Sequence, residues 1–117
     1  MSEITEKGYE DIRSYIATNW KVFKLLQGNN PVLTLSKETD NRVSVSISGN
    51  EIKVNILIRG NDSDVISKLP FSLDGIGVYK SADGEMLLYE QFQAVTISSS
   101  SQIFNLNLAI KVPYLSG

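Results

Sequence analysis

Apolar residues repeat at three- and four-residue steps near the start of the chain. Tyr9, Ile12, Ile16, Phe23 and Leu26 form the stripe, and Tyr15 and Val22 widen it. That period predicts an amphipathic helix over residues 5–27. Glu6, Glu10 and Asp11 lie in its first turns and Lys21 and Lys24 near its end, an order that complements the helix dipole. Gly28 reads as the C-cap, and Asn29-Asn30-Pro31 stops the helix. Trp20 falls off the main stripe. It marks either an interface, where tryptophan is enriched, or the margin of a wide stripe on a broad sheet.

After Pro31 the period changes to two. Leu33 and Leu35 alternate in a short strand. Val43, Val45 and Ile47 then alternate with Ser44, Ser46 and Ser48, Gly49-Asn50 makes a two-residue turn, and Ile52, Val54, Ile56 and Ile58 follow in the same alternation. Such a hairpin sets Ile47 opposite Ile52, Val45 opposite Val54 and Val43 opposite Ile56, with every apolar side chain on one face. Val65 and Ile66 suggest a short strand before Leu69-Pro70. A second hairpin is expected over 76–92 around Asp83-Gly84. Its residues Ile76, Val78, Tyr79, Met86, Leu87, Leu88 and Tyr89 populate both faces, which calls for cover by the helix or by a partner chain. A last hairpin is expected to join Val95 and Ile97 to Phe104, Leu106, Leu108, Ile110 and Val112 across Ser98–Ser101. About seven short strands at this spacing argue for a sandwich. The expected fold is therefore mainly β (α+β): one domain over 1–117, an N-terminal helix packed on an antiparallel β-sandwich at about 31–113.

Composition narrows the chemistry. The chain has 117 residues, 42% hydrophobic and 21% charged, with no cysteine and no histidine. Disulfides, thiolate ligands, cysteine nucleophiles and any triad built on histidine are thus impossible within it. The net charge is −2 and the basic residues are scattered, which disfavours a nucleic-acid face. Residues 1–7 carry neither the basic nor the apolar region of a signal peptide, and no apolar run is long enough to span a membrane.

Weak chemical signals have structural readings beside them. Asn61-Asp62-Ser63-Asp64 spaces carboxylates as a calcium loop begins, but the glycine and distal glutamate are missing, and a solvated Asx turn explains it. Asp74, Asp83, Glu85 and Glu90 are the clustered carboxylates a sugar hydrolase would need, and turn chemistry accounts for them. Glu90, on an apolar strand, is expected to pair with a basic side chain. Gly75-Ile76-Gly77 lacks the third glycine and following helix of a phosphate loop and reads as a loop-to-strand junction. The chain ends on Val112-Pro113-Tyr114-Leu115, where Tyr114 either folds back or docks elsewhere. No catalytic residue, metal ligand or cofactor is expected. Trp20, Tyr79, Leu88 and Tyr114 are the candidate interface residues.

The order of elements, a helix over Tyr9–Gln27 and then an all-β domain with segments such as Gln91-Phe92-Gln93-Ala94-Val95-Thr96-Ile97 and Gln102-Ile103-Phe104-Asn105-Leu106-Asn107-Leu108, resembles the shoulder domain of receptor-binding and baseplate proteins from siphophages of Gram-positive bacteria. The resemblance lies in element order and Ser/Asn-rich outer faces, and it transfers no functional residue. It implies a non-enzymatic tail or baseplate module whose partners are other protein subunits, with self-association common, found in the virion or the host cytoplasm. The neck and saccharide-binding head of such proteins have no counterpart here. The alternative is a small phage- or mobile-element-encoded inhibitor that binds one host protein.

Overall fold

A computed structural model describes residues 2–113. The elements are helix α1 (Glu6–Asn19), strands β1 (Val22–Gln27), β2 (Asn30–Ser36), β3 (Val43–Ser48) and β4 (Glu51–Arg59), a single helical turn α2 (Ser63–Ile66), and strands β5 (Phe71–Tyr79), β6 (Leu88–Ile97) and β7 (Ile103–Lys111). They form a sandwich of two antiparallel sheets, one ordered β2-β1-β5-β6 and the other β3-β4-β7.

The helix ends eight residues before the expected boundary at 27, and the last six residues of the expected helix are strand β1. The physical reason is burial on both faces. β1 lies between β2 and β5, so Phe23 and Leu25 point into the core while Val22 and Leu26 are buried on the outer face. A doubly covered strand produces close apolar pairs that mimic a helical stripe. Gly28 is accordingly a hairpin residue rather than a helix cap. It takes φ +61° in the turn where Gln27 pairs with Asn30, the left-handed conformation a helix end also uses.

What remains of α1 is also rotated from the expected stripe. Thr5 caps it, its Oγ1 accepting from the Gly8 N–H at 3.3 Å. Arg13 and Ile16 are buried and Ala17 and Trp20 pack beside the core, whereas Ile12 and Tyr15 face outward. Arg13, only 3% exposed, donates to the Val112 carbonyl and to Glu6 Oε1, and Lys37 Nζ donates to the Ala17 carbonyl at the helix end. A buried charge is tolerated because it is paired and hydrogen-bonded.

The β3–β4 hairpin has the register expected of it, with Ile47 opposite Ile52, Val45 opposite Val54 and Val43 opposite Ile56. β3 is an edge, so Ile47 stays 45% exposed while Ile52, Val54, Ile56 and Ile58 are buried. Val65 and Ile66 fall in α2, not in a strand, and Val65 plugs the core from that turn. β5 and β6 pair as a hairpin whose connection holds Asp83-Gly84.

The last expected hairpin does not exist. β6 pairs with β5 and β7 pairs with β4, so Ser98–Ser101 carries the chain from one sheet to the other. Gln102 holds this arch: its Oε1 accepts from the Ser98 and Ser99 N–H groups at 2.6 and 3.1 Å. Both strands alternate in the same way whichever strand they pair with, and pattern alone does not name the neighbour. The two inner faces close a single core that runs from Phe23, Leu25 and Ile76 across to Ile56, Ile58 and Leu108.

Candidate interaction surfaces

Two of the expected interface residues sit on the β5–β6 hairpin, on opposite faces. Leu88 pairs with Val78 and packs against the core, half-buried. Tyr79 ends β5 on the outer face and is 6% exposed. Trp20 is the C-cap of α1 and packs beside the core. Tyr114 lies outside the described residues.

The outer face of the four-stranded sheet has a distinct construction. Gly77 pairs with Lys24 on one side and Tyr89 on the other, and Gly75 pairs with Leu26 and Gln91. The two glycines thus lie within β5, not at a junction before it, and they leave room for rings. A Cβ on Gly75 would sit 3.0 Å from the Tyr89 ring, and one on Gly77 would meet the Tyr79 ring and Met86 at 2.9 and 2.8 Å. Lys24 Nζ lies 4.6 Å from the centre of the Tyr79 ring, a cation–π distance. Met86, Leu87 and Tyr89 complete the patch at 44, 40 and 47% exposure. Beside it, Lys80 donates to the Tyr15 hydroxyl at 2.6 Å and ties this arm to α1.

The three-stranded sheet presents a different outer face. Ser44, Asn55 and Asn107 form one cross-strand row, and Ser46, Lys53 and Ala109 the next. They line a shallow hollow. Asn55 Nδ2 donates to the Oδ1 atoms of Asn105 and Asn107 at 2.8 and 2.7 Å, which fixes the amides in a ladder.

A charge cluster stands near the end of β4; Asp62 and Asp64 belong to the suspected calcium-loop segment, whereas Arg42 and Asp40 carried no local motif. Arg42 is surrounded by Asp40, Asp62 and Asp64. Its Nε and Nη2 contact Asp40 at 2.9 and 2.7 Å, and Nη1 and Nη2 grip both oxygens of Asp64 at 2.8 Å. Asp62 Oδ2 accepts from Nη1 at 3.2 Å and from the Arg59 N–H at 3.0 Å. The carboxylates suspected of a calcium loop are therefore engaged by a guanidinium, and their geometry joins the β2–β3 loop to the β4–α2 turn. The only signal in the sequence was charge balance between segments 20 residues apart, which no local motif carries.

Hydrogen bonds from Arg42 hold the Asp40 and Asp64 carboxyls below their ordinary range against the opposing effect of burial, and the same bonds hold Arg42 further above its own. Folded-state values below the unfolded ones mean that the native state binds fewer protons. The stabilisation is complete above the ordinary value of 3.8 and is lost as pH falls through the lowered values. Arg42→Met is expected to cost about 2 kcal/mol at neutral pH, because it leaves three carboxylates facing one another; the value is discounted for the exposure of Asp64. Urea unfolding of both proteins between neutral pH and about pH 2.5 checks this, and the difference should shrink towards zero at the acid end.

The remaining candidate carboxylates do not converge. Asp74 accepts from the Gly28 N–H at 2.9 Å and so buttresses the β1–β2 turn. Asp83 accepts from Ser81 Oγ at 3.2 Å within its own turn. Glu85 and Glu90 are exposed, and Glu90 has no ion-pair partner among the described residues. Among those residues no helix is long and apolar enough to cross a membrane. The chain finds no match among family models, curated proteins or solved structures.

Proposed function

We propose that this protein is a non-enzymatic assembly module, a structural subunit that docks onto other protein subunits, with a phage tail or baseplate as its setting. The observation that carries the reading is the β5–β6 arm. Met86, Leu87 and Tyr89 are each at least 40% exposed on a hairpin whose outer face is shaped around aromatic rings. Tyr89 is on β6 and Met86 and Leu87 lie in the connection just before it, and apolar and aromatic side chains gathered at the surface in this way are the usual material of protein interfaces. The phage setting is supported by the element order described above: one helix, then a sandwich with Ser/Asn-rich outer faces.

Mass spectrometry of purified virions tests the setting. The expected result is the chain at a fixed copy number relative to known tail subunits. A 1:1 complex with a host protein, with the chain absent from virions, would replace this reading with that of a host-directed inhibitor. Within the virion, a Leu87→Ala/Tyr89→Ala variant should fold normally and lose incorporation.

A further inference from the structure

A sandwich of two open sheets has four edge strands, and here they differ in how they are protected. β2 carries Pro31 and meets β1 through a register shift. β3 lies against α1, with Ile47 and Gly49 beside Glu6, Glu10 and Arg13. β6 is broken by a bulge in which Phe92, Gln93 and Ala94 oppose the single residue Asp74, and it holds Glu90 on the same side of the sheet as Ile76. Proline, a covering helix, a bulge and an inward-side charge are the devices that keep edges from pairing.

β7 has none of them. It pairs with β4 in unbroken register from Ile103 to Lys111, contains neither proline nor glycine, and has one charge, at its last position. The bonds from the Gly60 N–H to the Gln102 carbonyl and from the Val112 N–H to the Asn50 carbonyl fix which residues turn towards β4. These are the even-numbered ones. The backbone N–H and C=O groups of Ile103, Asn105, Asn107, Ala109 and Lys111 consequently point away from β4. Among the described residues, no backbone hydrogen bond outside the strand ladders uses them.

We infer that β7 is a self-association edge, where two copies of this chain pair antiparallel about a two-fold axis at Asn107. The sequence of β7 suits itself as partner. With Asn107 on the axis, the five outward-directed residues of one copy meet the same five of the other, so about ten N–H···O bonds form in register. Lys111 falls opposite Ile103 of the second copy rather than opposite another lysine. Leu106, half-exposed at the rim of the core, falls opposite Leu108, and Phe104 opposite Ile110. The row Ser44–Asn55–Asn107 continues across the axis into its own copy, and the two three-stranded sheets become one of six strands. A self-complementary patch of this kind closes on itself and does not propagate. The dimer is independent of whatever the β5–β6 arm docks onto, so either can fail without the other.

Size-exclusion chromatography with light scattering on the full chain at about 100 μM tests the pairing. The expected mass is twice 13.0 kDa. Asn107→Lys sets two ammonium groups against each other across the axis and should return a folded monomer. Gln93→Lys on the bulged edge β6 should remain dimeric. The protein has no cysteine of its own. Mild oxidation of Asn107→Cys should therefore give a disulfide-linked dimer, because residues opposite each other in a hydrogen-bonded pair are about 5.5 Å apart at Cα. A monomeric wild type, a dimer untouched by Asn107→Lys, or an Asn107→Cys protein that stays uncrosslinked would each overturn the inference. If Asn107→Lys fails to fold, the crosslink decides.

Discussion

Phe23→Ala is expected to lower the free energy of unfolding by about 4 kcal/mol. Phe23 is 1% exposed on the inner face of β1, between Leu35 of β2 and Val78 of β5. Truncation removes a whole aromatic ring from the centre of a packed sheet, and rigid strands on either side cannot collapse into the space. Leu25→Ala should follow at about 3 kcal/mol, since Leu25 is fully buried between Leu33 and Ile76. This second variant separates strand from helix. A helical stripe through Phe23 and Leu26 leaves Leu25 to the side, whereas the strand buries it. Thr34→Ala, exposed on the outer face of β2, should change stability by no more than about 0.5 kcal/mol. Urea midpoints at constant slope report all three.

Gly60→Ala is the other large effect, at about 3 kcal/mol destabilising, and its cause is contact rather than cavity. A Cβ at Gly60 would lie 2.1 Å from the Ser99 carbonyl oxygen and 3.0 Å from the Ser100 Cα. Both are backbone atoms of the arch between β6 and β7, and neither can rotate away. The Ser99 carbonyl is held by the Gln102 N–H at 3.2 Å, and the Gly60 N–H is held by the Gln102 carbonyl at 2.8 Å. Relief therefore requires the arch to lift from the end of β4, breaking the ladder where β7 begins. Gly84→Ala serves as the contrast. Its nearest neighbour is the Ser81 hydroxyl at 2.8 Å, the end of a side chain that can turn aside by giving up one exposed bond to Asp83, and the cost should stay under about 1 kcal/mol. Equal costs at the two glycines would mean that the arch yields. It would then be a looser connection than its hydrogen bonds indicate.

The sequence by itself determined the β3–β4 hairpin, down to the pairing of Val43 with Ile56, because a two-residue turn and a period-two pattern fix the same register independently. It also determined the two-layer mainly β class with a helix at its front, since helical period and alternation are local. Tertiary structure decided the rest. β1 looked helical because side chains on both its faces are buried, and only its central place in the sheet, with the three-stranded sheet against its inner face, makes that burial. Arg13 has its buried partner in the Val112 carbonyl, 99 positions away, which no local pattern foretells. Arg42 gained its three aspartates from two loops that only the fold brings together. β7 read as the partner of β6, and it became an open edge because the Ser98–Ser101 arch carries it to the other sheet. Periodicity records which side of a segment meets apolar surroundings. It does not record which segment supplies them, and that choice is made by the packing of the whole chain.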